Sequence, residues 1–196
     1  MKNSNQVTPA MGGPSARAPW YARLILALQK RKYGSELESG KHWARLPRTF
    51  LALTLLYRSL DGRRSRIDAG LRSLIQVHVS RINWCAFCVD LNGAAALERA
   101  VPAEKLAALP DYARSPYYSE RERAALDYAE AMTSSTLGVD DALRSRMRNV
   151  FDQAEIVELT ALIAFQNMSS KFNAALGIAP QGFCSLPISQ DGRDRK

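Results

Sequence analysis

Cys85 and Cys88 stand three residues apart in the segment NWCAFC, residues 83–88. At the start of a helix, this spacing brings two sulfur atoms close enough to form a disulfide. The unpaired N–H groups and the dipole of a helix N-terminus stabilise a thiolate and lower the pKa of the thiol. A thiolate attacks a peroxide oxygen to give a sulfenic acid, which a neighbouring thiol converts to a disulfide. The pair therefore indicates thiol-based redox chemistry.

Two other interpretations of the cysteine pair stay open at this point. Free cysteine is often a small buried apolar residue, so Cys85 and Cys88 also suit a tight helix crossing beside the three alanines at 94–96. A zinc ion held by both cysteines, Cys184 and one of the two histidines is the second alternative. It lacks the second pair of closely spaced ligands that structural zinc sites usually have.

His78 is the candidate base, because it precedes Cys85 by seven residues on the same helical stripe. Histidine titrates close enough to neutral pH to transfer protons. The competing interpretation is a histidine packed between Ile75 and Ile82, with one ring nitrogen bonded to backbone. Cys184 is either a third redox thiol or, as we expect, a cysteine with no part in the chemistry.

The segments that position these residues have helical periodicity almost throughout, and no stretch sustains an alternation of apolar and polar residues. Helices are predicted to start at Pro47, at a Ser65 N-cap, and at two capping boxes, Ser119 with Glu122 and Asp152 with Glu155. A break at residues 83–84 separates the helix that follows Ser65 from the helix that carries the cysteine pair. The sequence therefore predicts an all-α fold.

The chain divides into four predicted segments. They are a flexible N-terminal tail (1–18), an N-terminal helical extension (19–64), a helical core (65–180) and an irregular C-terminal tail (181–196). With 196 residues, of which 46% are hydrophobic, the chain is long enough for one domain with a substantial core. No internal repeat or domain-scale linker interrupts it.

The net charge of +8 is concentrated at one end of the chain. Residues 1–72 hold fourteen Lys and Arg against four acidic residues, while the remainder holds thirteen against fifteen. Since no recognition helix, zinc-finger spacing or aromatic platform accompanies the basic clusters, we expect a solvated surface or a subunit rim and no nucleic-acid partner. The longest apolar run, residues 50–57, is shorter than the roughly 20 residues that span a bilayer. We therefore expect no membrane partner and, without a secretory signal, a cytoplasmic location.

Three stretches of the sequence resemble the alkylhydroperoxidase D / carboxymuconolactone decarboxylase family. They are SRINWCAFCVD at 80–90, ERERAALDYAEAMT at 120–133 and EIVELTALIAFQNMSSKFNAALGIAP at 155–180. Together they cover most of the predicted core. The resemblance implies an all-helical, single-domain bundle that assembles as a homo-oligomer, a trimer or a hexamer, with the cysteine pair near a subunit boundary.

In the peroxidase branch of that family, the second cysteine attacks the peroxide, the first resolves it, and a Glu and a His relay a proton. The resemblance thus implies that Cys88 is the peroxidatic thiol and Cys85 the resolving one, although the helix dipole alone favours Cys85. This chain has Ser73 where the family has Glu, and Asn92 where it has His. Four residues after Cys88, Asn92 is placed to donate an amide hydrogen bond to that sulfur. His78 is then the remaining candidate base.

The expected function is reduction of organic hydroperoxides or exchange of disulfides, with no metal, haem or flavin. A protein or a small dithiol would regenerate the pair, and the resemblance favours lipoyl-bearing reductants. One alternative is a carboxymuconolactone decarboxylase-like lyase that acts on a small carboxylic acid. The other is a non-catalytic oligomer that uses the cysteine pair as a redox switch.

Overall fold

The structure, a computed structural model, describes residues 18–186. Nearly all of the predicted tail at 1–18 and most of the one at 181–196 therefore lie outside the described residues. The described part of the chain contains helices and no strand, so the prediction of an all-α fold is confirmed. The elements are α1 (Trp20–Tyr33), α2 (Glu38–Trp43), α3 (Pro47–Leu60), α4 (Ala69–Ile82), α5 (Ala86–Glu98), α6 (Ala103–Ala107), a 3₁₀ turn (Leu109–Asp111), α7 (Glu120–Thr133), α8 (Asp141–Val150) and α9 (Gln153–Ala175).

Helix α4 is the centre of the fold, and it packs against α5, α7 and α9. Ten consecutive residues of this helix, 71–80, are buried, as expected of a helix covered on every side. Its Leu74 shares the largest apolar cluster with Leu126 of α7 and with Leu159 and Ile163 of α9. The cysteine pair follows directly after this central helix, so the core fixes the position of the pair.

Two helix starts match the predicted capping boxes. The side chains of Ser119 and Asp152 accept hydrogen bonds from the third helical N–H, and Glu122 and Glu155 bond back to the cap. The predicted Ser65 cap is wrong: Asp68 caps α4, while the Ser65 hydroxyl donates to Glu158 at 2.9 Å. This helix therefore begins three residues later than predicted.

The connection between α4 and α5 is a tight turn that places the cysteine pair. The N–H of Cys85 donates to the Ser80 carbonyl at 3.0 Å, and the N–H of Trp84 donates to the Arg81 carbonyl at 3.1 Å. These two backbone hydrogen bonds together form a Schellman motif, which requires a residue in the left-handed conformation just after the helix. Trp84 occupies that position with φ 56°, where glycine is usual. The turn leaves Cys85 as the N-cap of α5.

Helices α2 and α3 lie against α9, and α1 packs on α3. Helix α3 packs against both α1 and α9, and Trp43 of α2 stacks on Phe172 of α9 with ring centroids 3.7 Å apart. Between these helices and α5 a cavity remains, and it opens beside the cysteine pair. Among residues 18–186, no helix combines the length and the apolar character needed to cross a membrane.

Candidate active site

Cys85 and Cys88 form a disulfide, with their Cα atoms 5.2 Å apart. The Cys85 sulfur also acts as the N-cap acceptor of α5, because the N–H of Cys88 donates to it at 3.2 Å. Both residues are buried, with 1% and 3% of their surfaces exposed. Only Cys88 lines the neighbouring cavity. A small molecule in the cavity therefore meets Cys88 and not Cys85.

An amide from α9 contacts the Cys88 sulfur. The Nδ2 group of Asn173 donates to Cys88 Sγ at 3.2 Å, and the Ser39 hydroxyl donates to the Asn173 oxygen at 2.7 Å. Because a disulfide sulfur can only accept a hydrogen bond, the Nδ2 end of the amide faces it and the amide oxygen is left to accept from Ser39. Because Asn173 is 2% exposed, this hydrogen bond is shielded from water. In the reduced protein, the same donor would stabilise a thiolate on Cys88.

Asn92 does not take the role that the sequence predicted for it. Its Nδ2 group donates to the Ser80 hydroxyl at 3.3 Å, and the Gln166 amide donates to the same oxygen at 2.9 Å. Ser80 in turn donates to the carbonyl of Gln76, one helical turn earlier. Asn92 therefore contributes to a buried amide–hydroxyl network, and Asn173 is the amide that bonds to the sulfur of Cys88.

The cavity beside Cys88 has a volume of about 480 Å³. Its wall is mainly apolar and aromatic, and it includes Tyr33, Trp43, Tyr57, Phe87 and Phe165. The polar side chains among its lining residues include Gln29, Ser39, Asn92, Gln166 and Asn173, with Lys32 and Arg58 as the cations. Such a site suits an organic molecule with a large hydrocarbon part and a small polar group.

Ser73, at the position of the family's glutamate, contacts a buried charge cluster. Nη1 of Arg99 donates to the Ser73 hydroxyl at 3.0 Å and to Asp61 Oδ1 at 2.9 Å. The second Asp61 oxygen accepts from Nη2 of Arg99 at 2.7 Å, and Arg72 Nε donates to Oδ1 at 2.8 Å. Burial is the largest influence on the carboxyl and opposes its ionisation. The hydrogen bonds from Arg99 and Arg72 outweigh burial, so they hold the pKa of Asp61 below its usual range.

The structure places His78 away from the disulfide cavity. Its ring meets that of Tyr112 edge-on at 5.1 Å, and its Nε2 lies 3.6 Å from a carboxylate oxygen of Glu130 on α7. The Tyr112 hydroxyl lies 2.6 Å from a carboxylate oxygen of Asp127 and 2.9 Å from one of Glu130, and its single proton is shared between them. His78 is not among the residues that line the cavity. Its assignment as the base stays a prediction.

Asp90, which sequence reasoning treated as a solvated helix residue of little functional importance, holds the C-terminal segment against the cysteine pair. Its buried carboxylate accepts three backbone N–H bonds, from Gln181 at 2.7 Å, Gly182 at 2.8 Å and Cys184 at 2.7 Å. Phe183 packs against the apolar cluster that contains both cysteines. We call residues 178–184 the strap. The thiol of Cys184 is free, and its backbone, not its sulfur, makes the contact with Asp90.

Comparison with known proteins places this site in a family. The model of the carboxymuconolactone decarboxylase family matches residues 47–131. The uncharacterized protein YnjA of Escherichia coli (strain K12) is 38% identical over 174 residues, which cover 89% of this chain and 96% of YnjA. The chain belongs to the carboxymuconolactone decarboxylase family. The resemblance found in the sequence is thus confirmed.

Solved structures of other proteins share the fold. A peroxidase-related protein from Ralstonia eutropha JMP134, with an alkylhydroperoxidase D core, matches with a TM-score of 0.77 at 23% identity, over 90% of this chain and 95% of its own. A peroxidase-related protein from Silicibacter sp. TM1040 matches with a TM-score of 0.75 at 24% identity, over 87% of this chain and 95% of its own. At these identities the likeness establishes the helical architecture alone.

The chemistry of the site follows from its donor set. Within residues 18–186, no group of three or more His, Cys, Asp and Glu side chains converges as metal ligands would. The zinc site considered from the sequence needs both cysteine sulfurs as thiolates, and here they are bonded to each other. The arrangement consists of a buried disulfide, one amide donor to its cavity-side sulfur and an apolar cavity, and it can support two-electron thiol chemistry.

Proposed function

We propose that this protein is a thiol-dependent peroxidase that reduces organic hydroperoxides through Cys88 and Cys85, with thiol–disulfide exchange as the second half of its cycle. The observation that carries the proposal is the Cys85–Cys88 disulfide beside an apolar cavity that Cys88 alone of the pair lines. The hydrogen bond from Asn173 to the Cys88 sulfur supports Cys88 as the nucleophile, because it favours the thiolate of that residue over its neutral thiol.

In the first step, the Cys88 thiolate attacks the terminal oxygen of the hydroperoxide. An S–O bond forms, the O–O bond breaks, and the leaving alkoxide takes up a proton and departs as an alcohol. Cys88 is then a sulfenic acid. Attack by the Cys85 thiol forms the S–S bond and releases the hydroxyl of the sulfenic acid, which leaves as water with the Cys85 proton. The two thiols thereby supply the two electrons that reduce the O–O bond.

A dithiol closes the cycle. Its first thiolate attacks one sulfur of the disulfide, and its second thiol releases the resulting mixed disulfide, so that the dithiol is oxidised and the pair regains two electrons and two protons. The cavity gives a small dithiol a route to Cys88, whereas Cys85 is covered. A lipoyl group has the narrow apolar stem that such a route admits, and we propose that class of reductant.

We propose His78 as the proton-transfer group for this cycle. General acid–base catalysis contributes typically 10²–10⁴-fold to a rate. If His78 transfers the proton, His78→Gln should slow oxidation of Cys88 at least tenfold, measured by stopped-flow thiol loss. An unchanged rate in a normally folded variant would remove His78 from the mechanism.

The homo-oligomer is a further part of the proposal. Helices α1 and α3 expose Leu24, Leu28, Leu51, Leu55 and Leu56, by between 38% and 59% of their surfaces. Exposed leucines in such number are typical of an interface. We propose that a second copy of the chain covers them in a trimer or hexamer. Sedimentation of the wild type and of Leu55→Glu tests this, and a wild-type monomer would contradict it.

The direct test of the peroxidase is a count of free thiols. Fully reduced protein, with three cysteines, is treated anaerobically with one equivalent of cumene hydroperoxide. We expect a rapid fall from three thiols to one, with release of cumyl alcohol. Cys184→Ser is the matched control and should fall from two thiols to none. Cys85→Ser and Cys88→Ser should each fail to form the internal disulfide. Three surviving thiols in the wild type would refute the peroxidase and favour the lyase.

A further inference from the structure

Tyr57 lines the cavity, and its hydroxyl proton is already used in a hydrogen bond within the protein. Its ring lies nearly parallel to that of Phe165, with centroids 5.6 Å apart and 28° between the planes, and both residues line the cavity beside Cys88. The Tyr57 hydroxyl donates to Oδ2 of Asp61 at 2.8 Å. Asp61 is the residue that ends α3, one turn beyond Tyr57, so helix geometry fixes this contact.

The carboxylate of Asp61, which accepts this hydrogen bond, is itself held in position by other donors. Its side chain is 3% exposed, and three N–H groups of Arg72 and Arg99 donate to its two oxygens. Two guanidiniums hold the carboxyl in its ionised form, which only accepts hydrogen bonds. The Tyr57 proton therefore points to Asp61. Burial, followed by the nearby Asp61 charge, raises the pKa of Tyr57, so the hydroxyl keeps this proton at neutral pH.

A phenolic oxygen has one proton to donate and can also accept. With its proton bound to Asp61, the Tyr57 oxygen can only accept a hydrogen bond from a ligand. A ligand that presents an O–H or N–H group gains this hydrogen bond. A ligand that presents a carboxylate or an ether oxygen places its own acceptor beside the Tyr57 oxygen, and no hydrogen bond can form between the two.

We propose that Tyr57 is a specificity-determining residue that accepts a hydrogen bond from the ligand, so the cavity selects organic hydroperoxides and alcohols over ether or hydrocarbon analogues of similar size. The hydroperoxide as the natural donor rests on the proposed function. The bond to Tyr57 leaves the O–O bond free for attack, and the product alcohol retains the same donor. A small lactone acid of the kind that the lyase alternative requires would lose this contact if its carboxylate faced Tyr57.

The test uses the oxidised protein, in which the disulfide prevents reaction of the Cys85 and Cys88 thiols. Two nearly isosteric ligands are titrated, cumyl alcohol and tert-butylbenzene, which has a methyl group in place of the hydroxyl. Binding is followed by the fluorescence of the tryptophans, since Trp43 lines the cavity, and by calorimetry. Tyr57→Phe removes the acceptor and keeps the ring. Tyr128→Phe is the control, because the Tyr128 hydroxyl bonds to Thr160 and the residue does not line the cavity.

In Tyr57→Phe we expect the Kd of cumyl alcohol to rise about five- to tenfold, and that of tert-butylbenzene to change less than about twofold. Tyr128→Phe should change neither. Equal effects on both ligands, or a failure of cumyl alcohol to bind the wild type, would overturn the proposal. If Tyr57→Phe does not fold, wild-type protein must still bind cumyl alcohol more tightly than cumyl methyl ether, and equal affinities would overturn it. Since no peroxide is used, this outcome is independent of the thiol count that tests the peroxidase.

Discussion

Replacing Asp90 by asparagine should release the strap from the cysteine pair. The substitution keeps the size of the side chain and removes its charge. In the wild type, one carboxylate oxygen accepts the N–H groups of Gln181 and Gly182, and the other accepts that of Cys184. An asparagine has one acceptor oxygen, so its NH₂ group must face at least one of these backbone donors.

The expected loss follows from the three bonds. A hydrogen bond to a charged group contributes about 1.5–3 kcal/mol, and a neutral one about 0.5–1.5 kcal/mol. In the better orientation, the asparagine oxygen keeps the Gln181 and Gly182 bonds in their weaker neutral form and loses the Cys184 bond. Together these changes amount to a loss of roughly 3.5–6 kcal/mol in the free energy that closes the strap. Local opening is then favoured by a factor of at least about 100.

Amide hydrogen exchange measures this opening directly. We expect the three strap amides to exchange at least about 100-fold faster in Asp90→Asn, while amides of α4 are unchanged because the opening is local. The disulfide should also be reduced faster by a protein dithiol such as thioredoxin, because the strap segment packs over the cysteine cluster. Asp141→Asn is the control, since that carboxylate is exposed and bonds to Arg144 within its own helix. Unchanged exchange at the strap amides would refute the reasoning.

Two further predictions concern the reduced site and the buried charges. Asn173→Ala removes the donor to the Cys88 sulfur, so stopped-flow thiol loss at pH 7 should be about tenfold slower and its pH midpoint should move up; an unchanged pH profile would contradict this. Asp61→Asn leaves the Arg72 and Arg99 charges without their carboxylate, and urea unfolding at pH 7 should show a loss of about 3 kcal/mol. Because the pKa of Asp61 is depressed in the fold, its stabilisation is present above the unfolded-state pKa and lost as pH falls. The gap between wild type and variant should therefore narrow below about pH 4; a constant gap would exclude this linkage.

Local patterns predicted the helices where a cap or a long apolar stripe marked them. The capping boxes at Ser119 and Asp152 lie where the structure has them, because each box needs only four consecutive residues. Helix α2 was not predicted, since its six residues include a serine and a glycine and hold together through packing on α3 and α9. Helix α8 was missed for a different reason: it buries only Met147, so its apolar stripe is thin.

The cysteine pair was visible in the sequence because its partners are three residues apart. The groups that contact the pair could not be predicted from the sequence, because they lie far from it along the chain. Asn173 lies 85 residues beyond Cys88, and Ser39 lies 134 residues before Asn173. The Asp90 contact left no signal either, since its partners are backbone N–H groups of an irregular segment and carry no side-chain pattern. Only tertiary packing identifies such contacts.

Ser73 stands where the resemblance predicts a glutamate, and the positive charge beside it is neutralised by a carboxylate from another part of the chain. The guanidinium of Arg99 lies against Ser73, which offers a hydroxyl and no charge. A partly buried cation requires a carboxylate, and Asp61 provides one from the end of α3. The same carboxylate orients the hydroxyl of Tyr57 in the cavity wall. The charge that positions this part of the site thus comes from Asp61, twelve residues before Ser73, so this polar cluster forms without a glutamate at position 73.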